Sequence, residues 1–291
     1  MKTITIARSL CALVLAAALP ASALDLGKLV DQLNENPELV EAVGGVIQNT
    51  IDANRTVGPK EEATIGDGLA ANLLGAAPLV RNAELQRYVN QVGQWVASRS
   101  EQPGINWRFG VIDSPNVNGF ATPGGAIFIT RGLYQRLRDE AELAGVLAHE
   151  ISHVLARHHM RAIQAGKGRE ALGSALQGFI SYKQSDARQL GANAISGMSE
   201  VFVRGLDKDD EHEADIRGMV LSARAGYNPY ALVSVLQTLS QINPADSTVQ
   251  LMFSTHPSPG ERLNKIDQIV GDRLERYSDG VQATSRFYPA R

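Results

Sequence analysis

From Glu140 onward, apolar residues recur at Leu143, Val146, Leu147, Ile151, Val154 and Leu155, the three-and-four spacing of a helix set into a core, and among them stand His149, Glu150 and His153. A helix that carries two imidazoles and a carboxylate inward must find partners for them, because unpaired buried polar groups are costly. At 100° per residue, His149 and His153 are about 400° apart and share one face, one turn apart. That spacing suits two imidazoles on one Zn²⁺. Glu150 is poised beside such an ion without being a ligand, where it can take the proton of a zinc-activated water.

Two histidines and a water leave a catalytic zinc one protein ligand short. Two candidates compete for that place. His159 stands at the metzincin offset, ten residues after His149, but Ala156 fills the position where that pattern turns back on Gly. Val154-Leu155-Ala156-Arg157 holds no breaker, so the helix is expected to run to about Gln164. His153 and His159 would then face about 240° apart, and His158 and His159 read as solvent-facing or capping residues. The other candidate is Glu211, in Asp209-Asp210-Glu211-His212-Glu213-Ala214-Asp215 at the head of the next strongly helical segment. Glu211 and Asp215 are four apart and look the same way, so Glu211 would bind zinc while Asp215 accepts a hydrogen bond from the distal nitrogen of a ligating His. An acidic helix start that suits the helix dipole explains Asp209 and Asp210 equally well, but not the missing ligand.

The rest of the chain frames this helix. Lys2 and Arg8 precede an apolar run from Leu10 to Leu19, and Pro20-Ala21-Ser22-Ala23 has the small-x-small pattern of a signal-peptidase site, so residues 1–23 are expected to be a cleaved signal peptide. The one cysteine, Cys11, falls inside that run. Export without thiols fits a bacterial periplasm, with secretion as the second option. A formal charge of −3 with interspersed signs gives no footprint for nucleic acid. Residues 24–60 read as a helical appendage and linker, 61–275 as the main domain and 276–291 as a C-terminal tail. Within the domain, helices are expected over 61–74, 83–98, 209–224, 229–241 and 260–275, a strand over 107–112, and a β-hairpin about Thr122-Pro123-Gly124-Gly125. The Gly-punctuated stretch 166–205 reads as a lid or helical hairpin over a cleft, with a loose connection as the alternative. The fold class is α+β, mainly helical with a small sheet.

With these residues in hand, the chain resembles the zinc metallopeptidase family of the CAAX prenyl proteases and the HtpX heat-shock protease, in its soluble exported bacterial branch. The resemblance runs over roughly 61–274. It is carried by Asn118-Gly119-Phe120 with Pro123-Gly124-Gly125, by the segment Ala148-His149-Glu150-Ile151-Ser152-His153-Val154 with Ala156-Arg157-His158, by Glu211-His212-Glu213-Ala214-Asp215, and by His256-Pro257 with Glu261-Arg262. It implies a gluzincin-type domain with one Zn²⁺ on His149, His153 and Glu211, and Glu150 as the catalytic carboxylate. It also implies that the Asn118-Gly119-Phe120 strand is the edge on which substrate lies as an added strand. Asn118 and His256 would donate to the oxyanion of the tetrahedral intermediate, and His256 could instead reach the metal and hold the enzyme latent.

The function expected on these grounds is endopeptidase cleavage of unfolded or misassembled exported proteins, in quality control of the cell envelope. An assembly or holdase factor with little proteolysis is the alternative. Unfolded proteins or peptides are the expected partners, with peripheral attachment to a membrane or to envelope assembly machinery as a further option.

Overall fold

The computed structural model describes residues 57–164 and 206–289. The expected signal peptide, most of the appendage and the 166–205 segment lie outside the described residues. The chain opens with α1 (Pro59–Ala76), started by a proline at its first turn with Glu61 and Glu62 beside it, and α2 (Ala83–Ala97), where Asn82 accepts the Leu85 N–H. On α2, Leu85, Val89, Val92 and Val96 form one buried face.

Three strands follow: β1 (Arg108–Ile112), β2 (Gly119–Ala121) and β3 (Ala126–Thr130). The sheet order is β1-β3-β2, with β1 parallel and β2 antiparallel to β3. β3 is buried along its whole length, as a central strand should be, whereas β2 pairs on one side only among the described residues. The hairpin forms at the expected turn, and Gly124 (φ 79°) and Gly125 (φ 98°) supply the left-handed backbone it needs.

A short α3 (Arg131–Tyr134) leads into α4 (Glu140–Leu155), whose N-cap Asp139 accepts the Glu142 N–H and which is buried from Glu140 to Val154. α4 is the axle of the fold: α2 and the sheet pack on it, as do α6 (Lys208–Arg224) and α7 (Ala231–Ser240). Between α4 and α6 lies α5 (His158–Gln164); α8 (Ser247–Thr255) and α9 (Pro259–Ile269) close the helical set. The last residues fold back on the N-terminal end of α4, where Phe287 stacks on Tyr134 at 5.2 Å and Arg286 pairs with buried Glu140. Among the described residues the chain thus forms a mainly helical α+β domain with one small sheet. Among the described residues, no helix is long and apolar enough to cross a membrane.

Two expectations fail. The helix expected over 260–275 ends at Ile269. α4 does not run on to Gln164 but stops at Leu155, and Arg157 takes a left-handed conformation (φ 56°) before α5 begins. A non-glycine residue there costs roughly 1–3 kcal/mol unless its surroundings hold it. Here they do: the Arg157 guanidinium reaches Glu62 at 2.7 Å and donates to the Val57 carbonyl at 3.0 Å. Tertiary anchoring overrides the helical preference of a stretch without a breaker. In consequence His158 and His159 are buried, 0% and 8% exposed, rather than solvent-facing.

The close approach of α6 to α4 depends on one residue. Glu211, Asp215 and Gly218 share a face of α6, and a Cβ at Gly218 would stand 2.9 Å from the His149 nitrogen and 3.0 Å from its Cα. Backbone cannot step aside as a side-chain tip can. Gly218→Ala is therefore expected to lose about 1–3 kcal/mol of stability from overpacking, read by denaturant unfolding.

Candidate metal centre

α4 presents His149 and His153 on one face, and their Nε2 atoms converge to 3.1 Å. From α6, Glu211 brings Oε2 to 3.7 Å from His149 Nε2 and Oε1 to 3.5 Å from His153 Nε2. All three residues are buried, and one ligand atom from each lies within 4.8 Å of the others. The fit to zinc rests on the donor set and on an orphan. Two imidazoles and a carboxylate are zinc's usual partners, and Glu211 Oε1 is buried with no hydrogen-bond partner, a costly condition that a cation would relieve. His159 is not part of this group: its ring lies 5.5 Å from that of His153, and the third converging ligand comes from Glu211.

A buried scaffold of charge surrounds the ligands. Asp215 Oδ1 stands 2.9 Å from His149 Nδ1, and the Arg262 guanidinium grips the Asp215 carboxylate, with Nε 2.8 Å from Oδ2 and its second donor on Oδ1. Burial opposes ionisation of Asp215, but the guanidinium and His149 outweigh it and hold the carboxyl below the usual range. Glu211 is likewise opposed by burial, yet His256 first and then His149 bring it down to about 2. His149 is disfavoured as a cation by burial and Arg262, but the Asp215 and Glu211 carboxylates tip its pKa upward. His153, with burial and neighbouring histidines against its charge, is pushed well below the ordinary imidazole value. Its neutral form, the one that can bind a metal, is the one burial favours.

Glu150 shares a narrow cleft with His149, His256, Asn118 and Gly119, closed on one side by apolar side chains of α7 and by Met252. Burial raises its pKa above the ordinary carboxylate value. Gly119 gives the carboxylate room: a Cβ there would meet Glu150 Oε1 at 2.2 Å. Asn118 is 1% exposed, its backbone fixed by Thr130, while neither its side-chain oxygen nor its nitrogen has a partner. Phe120 turns its ring into the core beside Phe128 and Leu73, so anything laid along this strand would meet its backbone.

His256 stands at the C-terminal end of α8, with Nδ1 2.5 Å from Glu211 Oε2. A carboxylate only accepts, so Nδ1–H donates, and a neutral His256 then offers Nε2 as an acceptor. To donate to an oxyanion it must release Glu211 or carry a second proton. The sequence assigns no role to Arg262, and in it His158 reads as a solvent-facing or capping residue. The i, i+3, i+4 logic that found Asp215 cannot see a guanidinium arriving from α9, 47 residues on.

The geometry has counterparts. The profile of peptidase family M48 matches residues 82–270. The beta-barrel assembly-enhancing protease of Escherichia coli (strain K12) is 29% identical over 247 residues, 80% of this chain and 50% of that protein. Mitochondrial metalloendopeptidase OMA1 of Arabidopsis thaliana is 32% identical over 190 residues, covering 64% of this chain and 36% of its own length. The chain spans about half the length of the beta-barrel assembly-enhancing proteases it matches. With the profile covering most of the described residues and the zinc-type donor set at its centre, the chain belongs to peptidase family M48, a family of zinc metallopeptidases.

Proposed function

We propose that the chain is an exported gluzincin-type zinc endopeptidase acting on unfolded or misassembled proteins of the cell envelope. His149, His153 and Glu211 hold one Zn²⁺, and Glu150 is the general base. The observation that carries this is the convergence of three buried ligand atoms from two helices with Glu150 in the same cleft. Zinc, when bound, polarises a carbonyl oxygen and makes water acidic. Glu150 takes the water's proton and later hands it to the leaving amine. Asp215 fixes the ring of His149, and Arg262 keeps Asp215 ionised in place. The unpartnered amide of Asn118 donates to the developing oxyanion, a role worth about 3–4 kcal/mol per donor in known sites, and His256 joins it once it lets go of Glu211.

Substrate is held as a strand added to β2, whose edge, unpaired among the described residues, runs past Glu150, so recognition reads backbone more than side chains. The apolar wall of Leu232, Val235 and Leu236 favours an apolar side chain next to the scissile bond. Support for export is the charged, apolar and small-residue sequence of 1–23. Support for an envelope role is the name of the Escherichia coli relative, a protease that enhances β-barrel assembly. The test is cleavage of unfolded casein by the mature chain, with zinc counted by elemental analysis. Full zinc occupancy without cleavage under varied conditions would instead make it a client-binding assembly factor.

A pH dependence follows from Glu150. A base works only as the carboxylate, and burial has raised its pKa above 4.5. Activity should therefore fall with falling pH as Glu150 takes up a proton. Zinc occupancy is followed over the same range, so that loss of metal through protonation of the histidines is separated from loss of the base. Activity that falls only as zinc is lost counts against the assignment.

A further inference from the structure

Resting on the reading of His149, His153 and Glu211 as zinc ligands, we propose that His158 is the positioning residue of His153. It accepts the His153 Nδ1–H on its own Nδ1, carries its proton on Nε2, and thereby leaves His153 Nε2 free for the metal.

His153 and His158 are in contact through their Nδ1 atoms, 2.9 Å apart, and both residues are buried. In a continuous helix they would lie about 140° apart. The left-handed Arg157 between them is what turns His158 back onto His153. Strain at one residue, anchored from α1, thus has a product inside the metal centre.

Tautomer arithmetic fixes the roles. A neutral imidazole has one N–H and one lone pair, and a His that ligates through Nε2 carries its proton on Nδ1. His153 is then the donor in the Nδ1–Nδ1 contact, and His158 the acceptor. His158 must therefore hold its proton on Nε2, which is buried without a hydrogen-bond partner and faces Glu213 Oε2 at 3.5 Å and Asp210 Oδ1 at 3.7 Å. Those carboxylates are the surroundings an N–H wants. The two ligating histidines are thus held differently, His149 by the carboxylate of Asp215 and His153 by a neutral ring.

The same three residues, His158, Asp210 and Glu213, are spaced to hold a second metal ion. Two facts oppose it. An ion on His158 Nε2 would move the proton to His158 Nδ1, which would then point at the Nδ1–H of His153. Asp210 and Glu213 are also already paired, with Arg161 at 2.6 Å and Arg217 at 3.0 Å.

The test uses the mature chain. In an Asn side chain Oδ1 stands about where His places Nδ1, so His158→Asn keeps an acceptor for His153, whereas His158→Leu has the same shape without one. Zinc affinity from chelator competition is expected to be 10–100-fold weaker in His158→Leu and close to the parent in His158→Asn, with near-ultraviolet circular dichroism of the apo forms checking the fold. Equal affinities in the two variants overturn the proposal. Nitrogen-15 histidine spectra of the zinc-loaded parent, which need no variant, should show His158 as the Nε2–H tautomer; an Nδ1–H tautomer, or two tightly bound zinc ions per chain, overturns it as well. A parent that binds no zinc sinks the metal site itself, which is a different outcome from a parent that binds it and a His158→Leu variant that binds it equally well.

Discussion

Replacing Glu150 with Gln is expected to leave zinc binding intact and to lower kcat by about 10²–10⁴-fold, the usual worth of a positioned base. Gln has the shape of Glu and fills the space left by Gly119, so the cleft should not rearrange. It lacks the one property required, a basic oxygen. Because Glu150 is buried in the cleft and its ionised form is disfavoured by burial, the neutral amide should also cost nothing in stability. Equal zinc content, an unchanged or raised unfolding midpoint and abolished casein cleavage would together place Glu150 in chemistry rather than in structure. Cleavage at the parent rate would move the base elsewhere, and His256, across the same cleft, is the residue to examine. His256→Ala separates its own two readings: faster cleavage means that the ring blocks the site, slower cleavage that it donates.

Much of this site was legible before any coordinates. Helical periodicity alone set His149 and His153 on one face, and the four-residue spacing of Glu211 and Asp215 carried both to the same side of a second helix. These are local relations, and local geometry is what a sequence states directly. The hairpin was legible for the same reason, since Pro123-Gly124-Gly125 names its own turn. What escaped the reading is non-local. Nothing in Val154-Leu155-Ala156-Arg157 signals a break, because the break is made by Glu62 and Val57, nearly a hundred residues away. The burial of His158 follows from that break and was hidden with it. Gly218, unremarkable in a helix of mixed composition, becomes significant only when the His149 backbone is seen beside it. The pairing of β1 with β3 rather than β2 depends on a parallel register that no alternation pattern encodes.

Arg262→Met should be the most destabilising of the substitutions considered. Asp215 and Arg262 are both buried, and removing one partner of such a pair costs about 3–5 kcal/mol because the other charge is left without compensation. Methionine keeps much of the length and apolar volume of the arginine stem, so the loss reports on charge more than on packing. The sign with pH is fixed. The folded-state pKa of Asp215 lies below its unfolded value, so its stabilisation is present above the ordinary aspartate range and fades as pH falls through the folded value. Without the guanidinium that folded value rises, and acid unfolding of Arg262→Met should begin at higher pH than in the parent. Adding Asp215→Asn removes the orphaned charge while an amide oxygen can still accept from His149 Nδ1, so the double variant should recover part of the stability lost in Arg262→Met. Denaturant unfolding of the parent, Arg262→Met, Asp215→Asn and the double variant in chelator gives the coupling energy, and zinc titration of the same set tells whether Arg262 reaches the metal only through Asp215. If Arg262→Met and the double variant bind zinc equally weakly, the 3.3 Å approach of the guanidinium to His149 Nδ1 matters in its own right, as packing that holds the ring. If the double variant recovers zinc affinity along with stability, Arg262 reaches the site only by compensating the buried carboxylate of Asp215, and a neutral acceptor on His149 Nδ1 serves the metal as well.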